Sequence, residues 1–430
     1  MIDSPRSFLE GLFRTAVAAA HPASCLAAHL PPPPRGRLIV LAAGKAAGAM
    51  TAIVETHYLR PGGLEEARLM GLAVTRHGHG RPTRRLPVIE AGHPVPDQAG
   101  IEAAEKTLAL AEQAGPDDLV LVLLSGGASA NWIAPAPKLA LADKQAATRA
   151  LLRSGASISE INTVRKHLSR IKGGRLAARA HRAHILTLAI SDVPGDDPAV
   201  IGSGPTVPDP STLAEARAVV QLHHVDLPAN VVQALTDPAN ETPKPGDAIF
   251  RHSEFRIIAR PRDAFRAAEA AVRAAGFDCI FLGDRVEGEA QEAAANHARM
   301  ARELRSQNHR AVIIISGGEL TVTIRGRGRG GPNQEYALAL ALAFDGMDGI
   351  AALAADTDGA DGGGGRADDP AGAFADGSSA GRARALGLDP AAFLADNDST
   401  AFFARLNDLL LTGPTFTNVN DFRAILVDST

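Results

Sequence analysis

Unbroken runs of Val, Ile, Leu and Ala, each followed by a stretch of helical periodicity, constrain this chain more than any other feature. Leu119–Leu124 reads Leu-Val-Leu-Val-Leu-Leu, and similar runs cover 37–43, 70–76, 87–91 and His184–Ile190. Strands that do not alternate apolar with polar residues are those buried on both faces, as in a parallel sheet covered by helices on either side. The helical patterns at 46–57, 97–113, 142–153 and 158–180 supply that cover. The first half therefore predicts a doubly wound, Rossmann-like α/β layer.

The pattern pauses at 237–247, a stretch with three prolines and no apolar run, and then restarts. Strands are expected at 255–258, 279–282 and 311–315, with helices at 264–275 and 287–305 between them. Alternating threonines at 320–324, directly after a strand, predict a hairpin and hence a mixed sheet. A helix at 333–344, a strand at 351–355, a Gly/Asp/Ala-rich loop to 377, two helices and a strand at 422–427 complete the reading. At 430 residues two or three domains are expected. The boundaries drawn are an N-terminal Rossmann-like α/β domain over 1–240 and a C-terminal mixed-sheet α/β domain over 248–430.

Composition excludes several classes. With 45% hydrophobic and 21% charged residues, the chain has enough apolar content for a substantial core. A net charge of −4, from 48 acids against 44 bases, argues against a nucleic-acid binder. Two cysteines, Cys25 and Cys279, exclude a disulfide scaffold and a four-cysteine zinc site, so a cytoplasmic location is expected. No apolar run approaches the roughly 20 residues of a membrane span. Near the N-terminus, Asp3, Glu10 and Arg14 interrupt the apolar residues, while Phe8, Leu9, Leu12, Phe13 and Val17 recur at helical spacing. A helix is expected there rather than a cleavable leader. Only seven of the 44 basic residues are lysines, which singles out Lys45, Lys166 and Lys172 as positions where arginine does not serve.

In open α/β sheets ligands bind beyond the carboxyl ends of the strands, so the residues after each strand carry the chemistry. After the first comes Gly44-Lys45-Ala46-Ala47-Gly48, a small-residue turn into a helix with one mobile cation. It is neither a Walker A loop nor GxGxxG. After the fourth comes Ser125-Gly126-Gly127-Ala128-Ser129, whose amides and hydroxyls suit a phosphate or carboxylate. After the fifth, Asp192, followed by Asp196 and Asp197 around a Pro-Gly turn, is placed either to hold Mg²⁺ or to accept a hydroxyl proton. Arg165, Lys166, His167, Arg170 and Lys172 crowd one short segment, a local field suited to an anion. A second Ser-Gly-Gly, at Ser316-Gly317-Gly318, ends a later strand. The glycine- and arginine-rich 325–331 then runs into a helix at Pro332-Asn333, a second anion cradle that includes Arg329, Gly330 and Asn333. Asp356 and Asp358 alternate at another strand end, with Asp356 the second candidate metal ligand. Anion loops, cations and carboxylates in this combination are what phosphoryl transfer needs.

These segments resemble the glycerate 2-kinases of the class whose C-terminal part is called the MOFRL domain. The resemblance runs in order through AGKAAGAM (43–50), AGHPVPDQAG (91–100), LLSGGASA (123–130) and NTVRKHLSRIKGGRLA (162–177). It continues through SDVPGDDPAVIGSGPTVPDPST (191–212), SGGELTVTIRGRGRGGPNQE (316–335), DTDG (356–359), DNDSTAFF (396–403) and TGPTFTNVND (412–421). It implies ATP-dependent phosphorylation of D-glycerate to 2-phosphoglycerate with Mg²⁺, in a cleft between two α/β domains, with Lys45 and Arg329 catalytic. Ala128 and Phe416 stand where the family usually has glycine. ATP and D-glycerate are the expected small-molecule partners, with neither nucleic acid nor membrane; the oligomeric state stays open, a homodimer included. Two rivals of other kinds remain: an NAD(P)-dependent hydroxypyruvate reductase, a label the family also carries, and a non-catalytic sensor of an anionic metabolite. A glycerate kinase giving 3-phosphoglycerate is the nearer alternative.

Overall fold

The computed structural model describes residues 4–307, 310–362, 366 and 368–428. The chain divides into two compact units, Cys25–Ile258 and Met1–Ser24 with Ala259–Thr430.

In the first unit, strands β1 (Leu38–Ala43), β2 (Leu69–Arg76), β3 (Val88–Ala91), β4 (Leu119–Leu124), β5 (His184–Ile190) and β6 (Ser253–Ala259) form one sheet in the order β3-β2-β1-β4-β5-β6. β1 to β5 run parallel, and every residue of β1 is buried. This is the doubly wound order, with its switch point between β1 and β4. Ala43 and Leu124 are register partners there, so the two following loops emerge side by side. Helix Gln98–Glu112 starts where the Asp97 carboxylate accepts the Gly100 N–H (3.0 Å) and lays Ala103, Ala104, Leu108 and Ala111 on the sheet. The helix expected over 158–180 is instead two. Ile158–His167 opens on a Ser157–Glu160 capping box, and Arg175–Arg179 follows Gly173 and Gly174, both left-handed (φ 57° and 79°). The first helix already ends at His167, and the left-handed Gly174 is the N-cap of the second.

The second unit holds β7 (Asp278–Phe281), β8 (Gly288–Glu289), β9 (Val312–Gly318), β10 (Leu320–Thr321), β11 (Ile350–Asp356), β12 (Gly372–Asp376), β13 (Leu409–Leu410) and β14 (Asp421–Val427). Its six-stranded sheet, β13-β12-β11-β14-β9-β7, is mixed: only the β7–β9 pair is parallel. The hairpin expected at 320–324 does not form. β10 pairs parallel with β8 in a separate ribbon, because β9 already has β14 and β7 as neighbours.

The units divide differently from a boundary at 240/248. Helix Pro5–Ala20 lies on helix Pro261–Ala274 and stacks Phe13 edge-on to Phe422 (6.0 Å), so it belongs to the second unit. The proline-rich 237–247 stays in the first unit: Asn240 and Thr242 are buried, and the Thr242 hydroxyl donates to Asp209 (3.0 Å). Among the described residues no helix is long and apolar enough to cross a membrane.

Candidate functional site

At the switch point the two strand-end loops interlock. The Lys45 N–H donates to the Gly126 carbonyl (2.8 Å), and the Ala46 N–H donates to Ser125 Oγ (2.9 Å). Gly44 has φ 117°, and a Cβ there would overlap the Ser125 carbonyl and hydroxyl, so the approach demands glycine. Gly127 is left-handed (φ 86°); a Cβ on it would lie 3.0 Å from the His93 ring and 3.4 Å from Lys45 Cγ. Thus the Lys45 side chain, Gly127 and His93 occupy one small space. The Lys45 carbonyl faces Thr75 Oγ1 (3.5 Å) and His79 Nδ1 (3.4 Å). His79 and His93 border the lysine turn, while His77 Nε2 pairs with Asp97 (2.9 Å).

Ala128 is buried and starts the short helix Ala128–Asn131; a Cβ on Gly202 would sit 3.4 Å from its methyl group. Its extra carbon thus packs sideways against 202, away from the lysine turn. Ser129 Oγ bonds Ser203 Oγ (2.7 Å), and Lys172 Nζ donates to the Ser129 carbonyl (2.7 Å). Asp192 follows β5 two residues beyond Ile190 and is half-buried.

The basic segment is largely committed to protein partners. Lys166 Nζ bonds Asp209 (2.6 Å), His167 Nε2 meets Glu241 (3.1 Å), and Arg170 pairs with Glu105. Arg165 donates to Asn162 Oδ1 (3.3 Å), and burial pushes its pKa down. Lys144, not singled out from sequence, buries its ammonium against the Arg165 and Leu168 carbonyls (2.9 and 2.8 Å).

In the second unit the arginine–glycine loop is a flat strip with two faces. Gly326, Gly328 and Gly330 press on Asp396, Asp398 and Ser399 so closely that a Cβ at any of them would overlap those residues. Arg325, Arg327 and Arg329 alternate with them and are exposed. Asn397 Oδ1 accepts from the Arg325 and Gly326 N–H groups (2.7 and 3.0 Å), Asp396 Oδ1 from Arg327 N–H (3.0 Å), and Asp398 Oδ1 from Arg329 N–H (3.0 Å). The Thr400 N–H donates to the Arg329 carbonyl (2.9 Å), and the Arg329 guanidinium reaches Asp369 (3.4 Å). Segment 396–400 is therefore a template for the loop.

Asn333 begins the following helix in a buried polar network. Its N–H and Nδ2 bond Asp361 Oδ1 (3.0 and 3.1 Å), and Nδ2 also bonds Asp421 (2.6 Å), which in turn holds Arg423 (3.0 Å). Burial raises the Asp421 carboxyl against the pull of Arg423. Sequence reading missed Asp361, Asp421 and Arg423. Gly317 and Gly318 lie inside β9, not in a loop: the Gly317 N–H donates to Gly283 (2.8 Å), and a Cβ would strike the Phe265 ring at 317 or Val286 backbone at 318. Asp356 ends β11 opposite Asp421 and accepts the Asp358 N–H (2.8 Å). Phe416 is left-handed (φ 58°), the conformation for which glycine is suited.

Residues 8–236 match the family described as a domain of unknown function (DUF4147), and residues 312–421 match the MOFRL family. A protein from Agrobacterium vitis bearing a hydroxypyruvate reductase name is 47% identical over 99% of this chain and 95% of its own. The D-glycerate 2-kinase of Thermotoga maritima is 37% identical over 95% of each chain. The crystal structure of a glycerate kinase from Thermotoga maritima superposes with a TM-score of 0.85 at 35% identity, covering 99% of this chain and 100% of that one.

Proposed function

This chain belongs to the glycerate kinase family of the MOFRL class, and on that premise we propose that it transfers the γ-phosphoryl group of ATP to the C2 hydroxyl of D-glycerate, giving 2-phosphoglycerate. The observation that carries the reading is the interlocked turn at the switch point, where Lys45 is set beside the Gly126–Gly127 backbone at two parallel strand ends. A cation and a glycine-lined turn at that place suit an anionic group in transfer.

Lys45 places a point charge on the phosphoryl oxygens as negative charge spreads over them. Arg329, on its templated strip, presents an exposed guanidinium of the kind that pairs with phosphoryl oxygens. Asp192, at the end of β5, either accepts the proton of the acceptor hydroxyl or binds the metal. Mg²⁺, when bound, neutralises phosphate charge. Such Mg²⁺ usually takes one or two carboxylates plus phosphate oxygens and water rather than a protein cage. The candidates for such a carboxylate are Asp192, two residues beyond β5, and Asp356, the last residue of β11. The reductase reading finds less support. Gly44 and Gly48 give only GxxxG, and Arg76, the basic residue at the end of β2 where a 2′-phosphate would be read, is 4% exposed.

Phosphorus NMR of a reaction with ATP, Mg²⁺ and D-glycerate tests the proposal: one 2-phosphoglycerate signal is expected. A 3-phosphoglycerate signal overturns the regiochemistry. Absence of any phosphorylated product, together with NAD(P)H oxidation by hydroxypyruvate, overturns the kinase reading.

A further inference from the structure

Lys172 is buried (1% exposed), yet among the described residues its ammonium meets no carboxylate. Its Nζ donates to the Ser129 carbonyl (2.7 Å) and to Ser203 Oγ (3.5 Å). The charges that act on it, Arg165 and Lys144, are of its own sign, and burial pushes its pKa well below the usual lysine value. A buried charge without a counter-charge is costly.

The second observation is backbone strain. Gly202, Ser203 and Gly204 are all left-handed (φ 58°, 64° and 60°). Two are glycines; Ser203 adopts a conformation that is strained for a residue with a side chain. The strained position puts Ser203 Oγ 2.7 Å from Ser129 Oγ. Ser129, unlike the other two, is only half-buried, and lies two residues after Gly127, which borders Lys45. With the Lys172 ammonium donating to Ser203 Oγ, Ser203 can give its own proton to Ser129 Oγ, which leaves the Ser129 proton for a ligand.

We propose that Ser129, backed by Ser203 and Lys172, seats the carboxylate of the acceptor acid. Ser129 touches the carboxylate; Ser203 and Lys172 are positioning residues that hold the Ser129 hydroxyl as a donor. That the ligand is a carboxylate, and which acid bears it, rests on the kinase reading, while its class as a small anion rests on the cluster itself.

Ser203→Gly tests this without endangering the fold, because glycine suits the left-handed backbone and only the hydroxymethyl group is lost. D-Glycerate binding is measured by titration calorimetry without ATP, alongside kcat and KM for both substrates. The expected result is D-glycerate binding weakened about 10-fold and its KM raised to match, with kcat and the KM for ATP within twofold of wild type. Ser129→Ala should lose at least as much, and the double variant no more than Ser129→Ala alone, since Ser203 acts through Ser129. Wild-type affinity for D-glycerate in Ser203→Gly, or an equal rise in the KM for ATP, overturns the proposal. If the wild-type protein forms no phosphorylated product yet binds D-glycerate in a Ser203-dependent way, the kinase reading fails and the carboxylate seat stands.

Discussion

Removing the Asp398 carboxylate should cost activity without touching a catalytic group. Its Oδ1 accepts the Arg329 backbone N–H at 3.0 Å, and the Thr400 N–H holds the carbonyl of the same residue at 2.9 Å. These two bonds fix the Arg329 peptide, and with it the origin of the guanidinium. An N–H bond to a charged acceptor contributes about 1.5–3 kcal/mol. Asp398 is half-buried, so the lower end applies, about tenfold in the population of the bound loop conformation. Because the Thr400 anchor survives, Asp398→Ala should lower kcat about 10-fold, well short of the roughly 10²–10³ expected when a transition-state donor itself is removed. Asp398→Asn keeps an oxygen acceptor and should stay within about threefold of wild type. The assay is steady-state kcat with both KM values, beside thermal unfolding, where a loss of this size shifts the midpoint by only about 3–6 °C. Wild-type kcat in Asp398→Ala would refute the idea that the template positions Arg329. Equal losses in the Ala and Asn variants would place the effect in the charge rather than in the hydrogen bond.

Lys45→Ala should lose at least about 10²-fold in kcat while keeping the wild-type unfolding midpoint, and Lys45→Arg should not rescue it, since a planar fork does not replace a point charge. Asp192→Asn should lose both activity and its dependence on Mg²⁺; survival of both in a titration of rate against Mg²⁺ removes Asp192 from the mechanism. His297, buried against the Tyr336 hydroxyl (2.7 Å), has its pKa pushed down to about 4 by burial and then by Arg423. Between about pH 6.5 and 4 the unfolded chain therefore binds more protons than the folded one at this residue, so stability falls as pH drops through that window. His297→Gln should flatten that fall by up to about 3 kcal/mol, read as the difference between denaturant unfolding curves at pH 7 and pH 4.5.

What could be read from sequence was what neighbours along the chain decide. β1, β4 and β5 were legible because double-sided burial leaves an unbroken apolar run, and the interlocked turns because glycine at positive φ is a local requirement. The start of the second helix within the stretch expected over 158–180 was also there to be read, in Gly173-Gly174, though not the end of the first at His167. Long-range choices were not legible. Nothing local distinguishes a β10 that turns back on β9 from one that joins β8, or assigns helix Pro5–Ala20 to a sheet built from residues more than 250 positions later. The charges of the basic segment were plain, but their partners were not: Lys166 meets Asp209 across 43 residues, and Arg170 meets Glu105 across 65.

In the arginine–glycine loop the glycines have a first task that the sequence alone does not suggest. Its glycines suggested amides wrapped around a phosphate. They serve first to let the strip lie against 396–399, where any side chain would collide. The alternation then does the electrostatic work. A strip flattened on one face by glycine must project every second residue from the other, which exposes Arg325, Arg327 and Arg329 together. The template holds the N–H groups on both sides of Arg325 and Arg327, whereas at Arg329 it holds the N–H through Asp398 and the carbonyl through Thr400. Position along the strip, rather than charge, therefore separates Arg329 from its two neighbours. Exchanging Arg327 for Lys should then be tolerated, whereas the same exchange at Arg329 should lower kcat.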